Sequence, residues 1–104
     1  MLVPFHTLPP SSKVWIYQAS HVLTPEQSAD ILKSAEEFIE SWTAHQANLK
    51  AGVRMAHNAF LVFAVDESYN DASGCSIDKK VHFVKNIVQQ TGINFFDRMQ
   101  AAYQ

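Results

Sequence analysis

Glycine and cysteine are both scarce in this chain, with three glycines and one cysteine among 104 residues. Neither a GxxxxGK[ST] loop nor a GxGxxG turn occurs. A P-loop ATPase and a Rossmann-type dinucleotide binder therefore lose the backbone amides that would cradle their phosphates. The single Cys75 has no partner for an internal disulfide, which favours an intracellular compartment. Neither CxxC nor HxxxH spacing is found, and His6, His21, His57 and His82 are scattered, so no metal site and no cofactor is expected. Long apolar runs are missing too. The longest, 59–65, has the length of a strand, far short of the roughly 20 residues that span a bilayer. Positive charge is not in excess. Eight Lys and Arg face ten Asp and Glu, for a net charge of -2, which disfavours nucleic acid as a partner. No basic region precedes an apolar stretch at the N-terminus, so no signal peptide is expected. These absences favour a soluble cytoplasmic protein.

What is present suffices for one small domain. Apolar residues make up 47% and aromatics 12% of the chain, enough for a core. Residues 1–13 contain Pro4, Pro9 and Pro10 and read as an arm, with Leu2, Val3, Phe5 and Leu8 available for packing. Residues 14–104 read as a single domain. The first strand, 14–19, carries apolar side chains on both faces, Val14 and Ile16 against Trp15 and Tyr17. A helix is expected over 25–45, with Thr24 as cap, Pro25 in the first turn and Gln27 closing a capping box. Ile31, Ala35, Phe38 and Trp42 form its apolar stripe. Two further strands are expected over 49–57 and 59–66, the first more polar and suited to an edge, the second apolar on both faces. A second helix is expected from Ser76 or Asp78, either acting as cap. Its stripe is Ile77, Val81, Val84 and Val88, and Gly92 stops it. The tail, Ile93 to Gln104, permits a last strand through Ile93, Phe95, Ala101 and Tyr103, or a helical turn first through Phe96 and Met99. The order βαββαβ is that of a ferredoxin-like α+β sandwich. In it a four-stranded antiparallel sheet carries two helices on one face, with the first and third strands central.

The candidate chemistry centres on Ser73-Gly74-Cys75-Ser76-Ile77-Asp78, a turn feeding a helix N-terminus where amides and dipole favour negative charge. Cys75 there is a candidate nucleophile, with His45 as base and Asp78 alongside. Asp78 also opposes a thiolate by like-charge repulsion. A plainer reading makes Cys75 a small buried residue, Gly74 a turn former and the hydroxyls caps. Trp42, Ser73, Gly74, Ser76 and Arg98 are candidate ligand-binding residues for a small anion. Asp66 and Glu67 close a central strand, but neighbours on a strand point to opposite faces and make a poor acid–base pair.

Trp42-Thr43-Ala44-His45, the segment from Ser73 to Asp78, and Phe96-Asp97-Arg98 with Tyr103 resemble motifs of a family of small uncharacterised bacterial proteins, some labelled "ABC transporter ATPase". The resemblance spans most of the chain from Val14 onward and leaves the arm outside. It implies a shortlist of Trp42, His45, Ser73 to Ser76, Asp78 and Arg98, and no activity, since the phosphate loop that the label requires is missing. Three functional readings result. The favoured one is an interaction protein, not an enzyme, that forms a homodimer through the open sheet face, with Trp15 and Leu61 as positions where a charge should disrupt pairing. The others are a cysteine-dependent enzyme or thiol sensor, and a small-anion binder.

Overall fold

The computed structural model of the chain describes residues 1–97. Its first strand, β1 (Lys13–Ala19), leads into α1 (Pro25–Glu40) through the capping box expected at Thr24. The Gln27 amide donates to Thr24 Oγ1 at 3.1 Å and the Thr24 amide to Gln27 Oε1 at 3.0 Å. Two of the amides that a helix start leaves unsatisfied are thereby paired. Thr24→Ala should lower the unfolding free energy by roughly 0.5–2 kcal/mol, read as a shift in the denaturation midpoint at unchanged slope.

The helix stops at Glu40, short of the expected 45. The Ser41 amide donates to Phe38 O and the Trp42 amide to Ile39 O, bonds that tighten the last turn and end it. The chain then forms a small hairpin, β2 (Thr43–Ala44) with β3 (Ala47–Asn48), that the βαββαβ reading did not contain. Its turn residues His45 and Gln46 have φ of 55° and 64°, as a two-residue hairpin turn of matching twist requires. Asn70 clasps this hairpin, its Nδ2 donating to Ala44 O at 2.9 Å and reaching Ala47 O and Asn48 O at 3.3 Å.

The expected pair of strands follows as β4 (Ala51–Ala56) and β5 (Phe60–Val65). Their turn uses His57 and Asn58, with φ of 54° and 52°. Asn tolerates this left-handed conformation, and Ser28 Oγ and the Leu23 amide fasten Asn58 from outside. The second helix, α2 (Gly74–Thr91), ends on Gly92 at φ 74°, with the Gly92 amide on Val88 O. A short last strand is β6 (Phe95–Asp97).

The main sheet has the order β4-β5-β1-β6, with every neighbouring pair antiparallel. The two strands that are apolar on both faces are therefore central, and the more polar β4 lies at an edge. The molecule is thus an α+β protein with two helices and a four-stranded antiparallel sheet. Register fixes the faces, because paired residues point the same way. Trp15 opposite Phe63, and Tyr17 opposite Leu61, are buried in the core. Val14, Ile16, Phe60 and Val62 occupy the other face. This corrects the expectation that Trp15 and Leu61 could mark an outer surface.

The arm wraps the β4 edge. Leu2 bridges Ala51, and the Val3 amide donates to Ala51 O at 2.9 Å. After a single 3-10 turn at Phe5–Thr7 it crosses the outer face above Gly52. A Cβ on Gly52 would lie 3.0 Å from Val3 O and 3.1 Å from both Leu8 Cδ1 and Phe5 Cα. Glycine is what lets the arm approach so closely.

Candidate functional site

The start of α2 is fastened rather than open. Ser73 caps the helix, its Oγ accepting from the Ser76 amide at 3.1 Å, while Ser76 Oγ accepts from the Ser73 amide at 2.8 Å. This corrects the expected cap at Ser76 or Asp78. Ser76 is instead the reciprocal third residue of the box, fully buried, and Asp78 lies past the first turn, exposed. The indole N–H of Trp42 donates to Ser76 O at 2.8 Å. Trp42, Ser73 and Ser76 thus meet as a brace joining the end of α1 to the start of α2.

The other nominated residues stand apart from this brace. Cys75 is exposed, against the plainer reading of a small buried residue. His45 is exposed in the hairpin turn. Among the described residues no hydrogen bond joins Cys75, His45 and Asp78. Gly74 is exposed with nothing within 4 Å of an added Cβ, so no close approach requires a glycine there. Arg98 and Tyr103 lie outside the described residues. Asp66 and Glu67 serve the loop after β5. Asp66 accepts from the Ser68 amide and hydroxyl and faces Lys50 Nζ at 3.8 Å. The bonds from Ser68, and then Lys50, hold its carboxyl below the usual aspartate value. Glu67 Oε2 accepts from the Ala72 amide at 3.1 Å.

Beside the brace lies a groove of about 500 Å³ between α1 and α2. Its floor is aromatic. Phe38 and Phe83 stack at 4.9 Å with their planes 18° apart, and Trp42 lies 5.2 Å from Phe38. Phe63 of the sheet supports all three edge-on at 6.3 Å. The rim is polar, with Asp78, Lys79, His82 and Asn86 from α2 and Ser41 from the C-cap of α1. Two of the nominated residues, Trp42 and Asp78, line this groove. The spacing of Phe38 and Trp42 was visible in the sequence, but the partner ring, Phe83, comes from a helix whose orientation was not.

A second feature escaped the sequence reading. Residues buried along α2 are Ser76, Lys80, Val84 and Ile87, whereas Ile77, Val81 and Val88 are only half-buried. Lys80 is 1% exposed. Its Nζ donates to Tyr17 Oη at 2.5 Å and sits 5.0 Å from the Trp15 ring and 4.7 Å from the Tyr17 ring. Burial pushes its amine down to about 8, with Asp97 opposing that shift. Burial likewise raises the Tyr17 phenol to about 12, helped by the charge of Asp97, which pairs with Tyr17 across β1 and β6. The cost of burying the ammonium is offset by the phenol oxygen and by the faces of two rings.

Among the described residues no group of three or more His, Cys, Asp or Glu could hold a metal ion, and no helix is long and apolar enough to cross a membrane. Comparison of the chain with protein families, curated proteins and solved structures gives no match.

Proposed function

We propose that the protein is a small cytoplasmic binding and interaction module with a ferredoxin-like sandwich fold, which pairs with a second copy of itself through the outer face of its sheet. Support for the fold comes from the sheet order and from Phe38 and Phe83, which bring both helices onto Phe63. The resemblance of its motifs to small bacterial proteins agrees with a module of this size and adds no activity.

The outer face carries the reading. Ile16 and Val62 form one row with Arg54, and Gln18 and Phe60 another with Ala56 and Phe96. Phe96 is 54% exposed. The arm meets this face at Gly52 and Arg54 of β4, where Phe5 lies under the Arg54 guanidinium at 5.7 Å. A hollow of about 350 Å³ remains between Phe5, Val14, Ile16, Arg54, Ala56 and Val62, wide enough for an apolar side chain of a partner. Contiguous apolar surface of this kind is uncommon on monomers beyond a few hundred Å², and two-fold self-association is the commonest way to cover it.

Light scattering tests the proposal. The expected mass is twice the 11.7 kDa of one chain. Ile16→Glu and Val62→Glu should each return it to the single-chain value while leaving the helical circular dichroism unchanged. Trp15→Glu and Leu61→Glu would instead unfold the chain, because both side chains are buried. A single-chain mass for the wild type at tens of micromolar overturns the reading.

A further inference from the structure

We propose that the groove between α1 and α2 binds a small zwitterion bearing an aromatic ring, the chemistry of a free aromatic amino acid. The site is separate from the sheet's outer face, since Phe63, which supports its floor, points away from that face.

The floor is pre-organised for a planar ring. Trp42 is locked by its bond to Ser76 O and by Phe63 beneath it. The stacked pair of Phe38 and Phe83 is half-buried and presents apolar surface to the groove. A ligand ring laid there gains offset or edge contacts with rings already held in place. The rim then selects the charges. Asp78 and Lys79 are adjacent on α2 and His82 lies four and three residues on, so the His82 Cβ stands about 5–6 Å from the Cβ of each, and all three line the groove. All three are exposed, and among the described residues none of their side chains makes a hydrogen bond or ion pair. Lys79 and His82 can hold a carboxylate, and Asp78 an ammonium. An anion alone would be repelled by Asp78 and a cation alone by Lys79. A molecule with both charges close together and a ring behind them satisfies the whole set. The volume, about 500 Å³, lies in the usual range for small-molecule sites.

L-phenylalanine is the probe, titrated into labelled protein to about 10 mM, the range expected for an open site, with amide shifts followed by NMR. Shifts should concentrate at Ser41, Lys79, His82 and Phe83. Phenylacetate, phenethylamine and leucine, which lack the ammonium, the carboxylate and the ring respectively, should each bind about two- to fivefold more weakly. Asp78→Ala and Lys79→Ala are exposed substitutions that leave the fold intact, and each should weaken L-phenylalanine by a similar factor. Absence of shifts at 10 mM, equal binding of all four compounds, or binding indifferent to both substitutions overturns the proposal. So do shifts confined to the sheet's outer face.

Discussion

Trp42→Ala is expected to cost roughly 3–5 kcal/mol of folding free energy, as large aromatic truncations in cores do. The indole is 1% exposed. It packs at 6.2 Å from Trp15, 5.2 Å from Phe38 and 6.3 Å from Phe63. Its loss therefore opens a cavity where the end of α1, the β2–β3 hairpin and the start of α2 converge. It also removes the indole donor from Ser76 O, whose helical bond within α2 remains, so this loss adds only about 0.5–1.5 kcal/mol. Domains of this size are stable by about 5–15 kcal/mol, so the midpoint should fall by tens of degrees or the chain should fail to fold at 37 °C. Trp42→Phe separates the two contributions, because it keeps a ring and loses only the donor and part of the volume. Its cost should be about 1–3 kcal/mol. Equal losses for the two variants in urea denaturation would show that the hydrogen bond, and not the packing, fastens the helices together. A loss below about 1 kcal/mol for Trp42→Ala would show that the junction does not depend on this residue.

Trp42 also shows what the sequence conveyed and what it hid. Its phase with Ile31, Ala35 and Phe38 marked it correctly as core. The same phase suggested that α1 continues through it, because a buried residue two positions past the helix end at Glu40 keeps the period of the helix. The true stop lies in the Ser41 and Trp42 amides bonding three residues back, which no residue type announces. Central β1 and β5 were legible because a strand covered on both sides must be apolar on both sides. That very property concealed which row faces the helices. Trp15 and Tyr17 turned inward and Val14 and Ile16 outward, and alternation alone is symmetric between these choices. Capping was legible at Thr24, where Pro25 and Gln27 pin the register, and ambiguous near Ser73. There two serines three apart exchange bonds, and the spacing allows either to lead. In α2 the stripe was read one position off, since a lysine counts as a solvent residue in any hydropathy pattern. The signal that could have exposed Lys80 is positional. Ser76, Lys80, Val84 and Ile87 keep helical spacing as well as Ile77, Val81, Val84 and Val88 do, and only the presence of Trp15 and Tyr17 on the facing strand makes the first set the buried one.

Because Lys80 is buried beneath those rings, stability should rise with pH between about 8 and 10. The folded amine titrates near 8, against 10.5 when free. Below pH 8 both the folded and unfolded chains carry the ammonium, and the cost of its burial is fully present. Between about 8 and 10.5 the unfolded chain binds the proton that the folded chain has released, so the folded state gains with each step in pH. The full gain is on the order of 3 kcal/mol. Tyr17 acts in the opposite sense. Its folded phenol holds its proton to about 12, against 10.0 when free, so above pH 10 the unfolded chain ionises first and stability falls again. A maximum near pH 10 is therefore expected, well above the range in which most domains are most stable. Urea midpoints at half-unit steps from pH 7 to 11 will show it. Lys80→Met identifies the source, since the thioether chain fills a similar volume without a charge. At pH 7 the variant should be at least as stable as the wild type, and by as much as about 3 kcal/mol more, as replacement of buried charges by apolar groups allows. The Tyr17 hydroxyl, left without its partner, takes back about 1 kcal/mol of that gain. The rise between pH 8 and 10 should vanish in the variant while the fall above 10 remains, because Tyr17 is still buried. A flat wild-type profile, or a rise that survives in Lys80→Met, would show that the amine of Lys80 is not what the core neutralises.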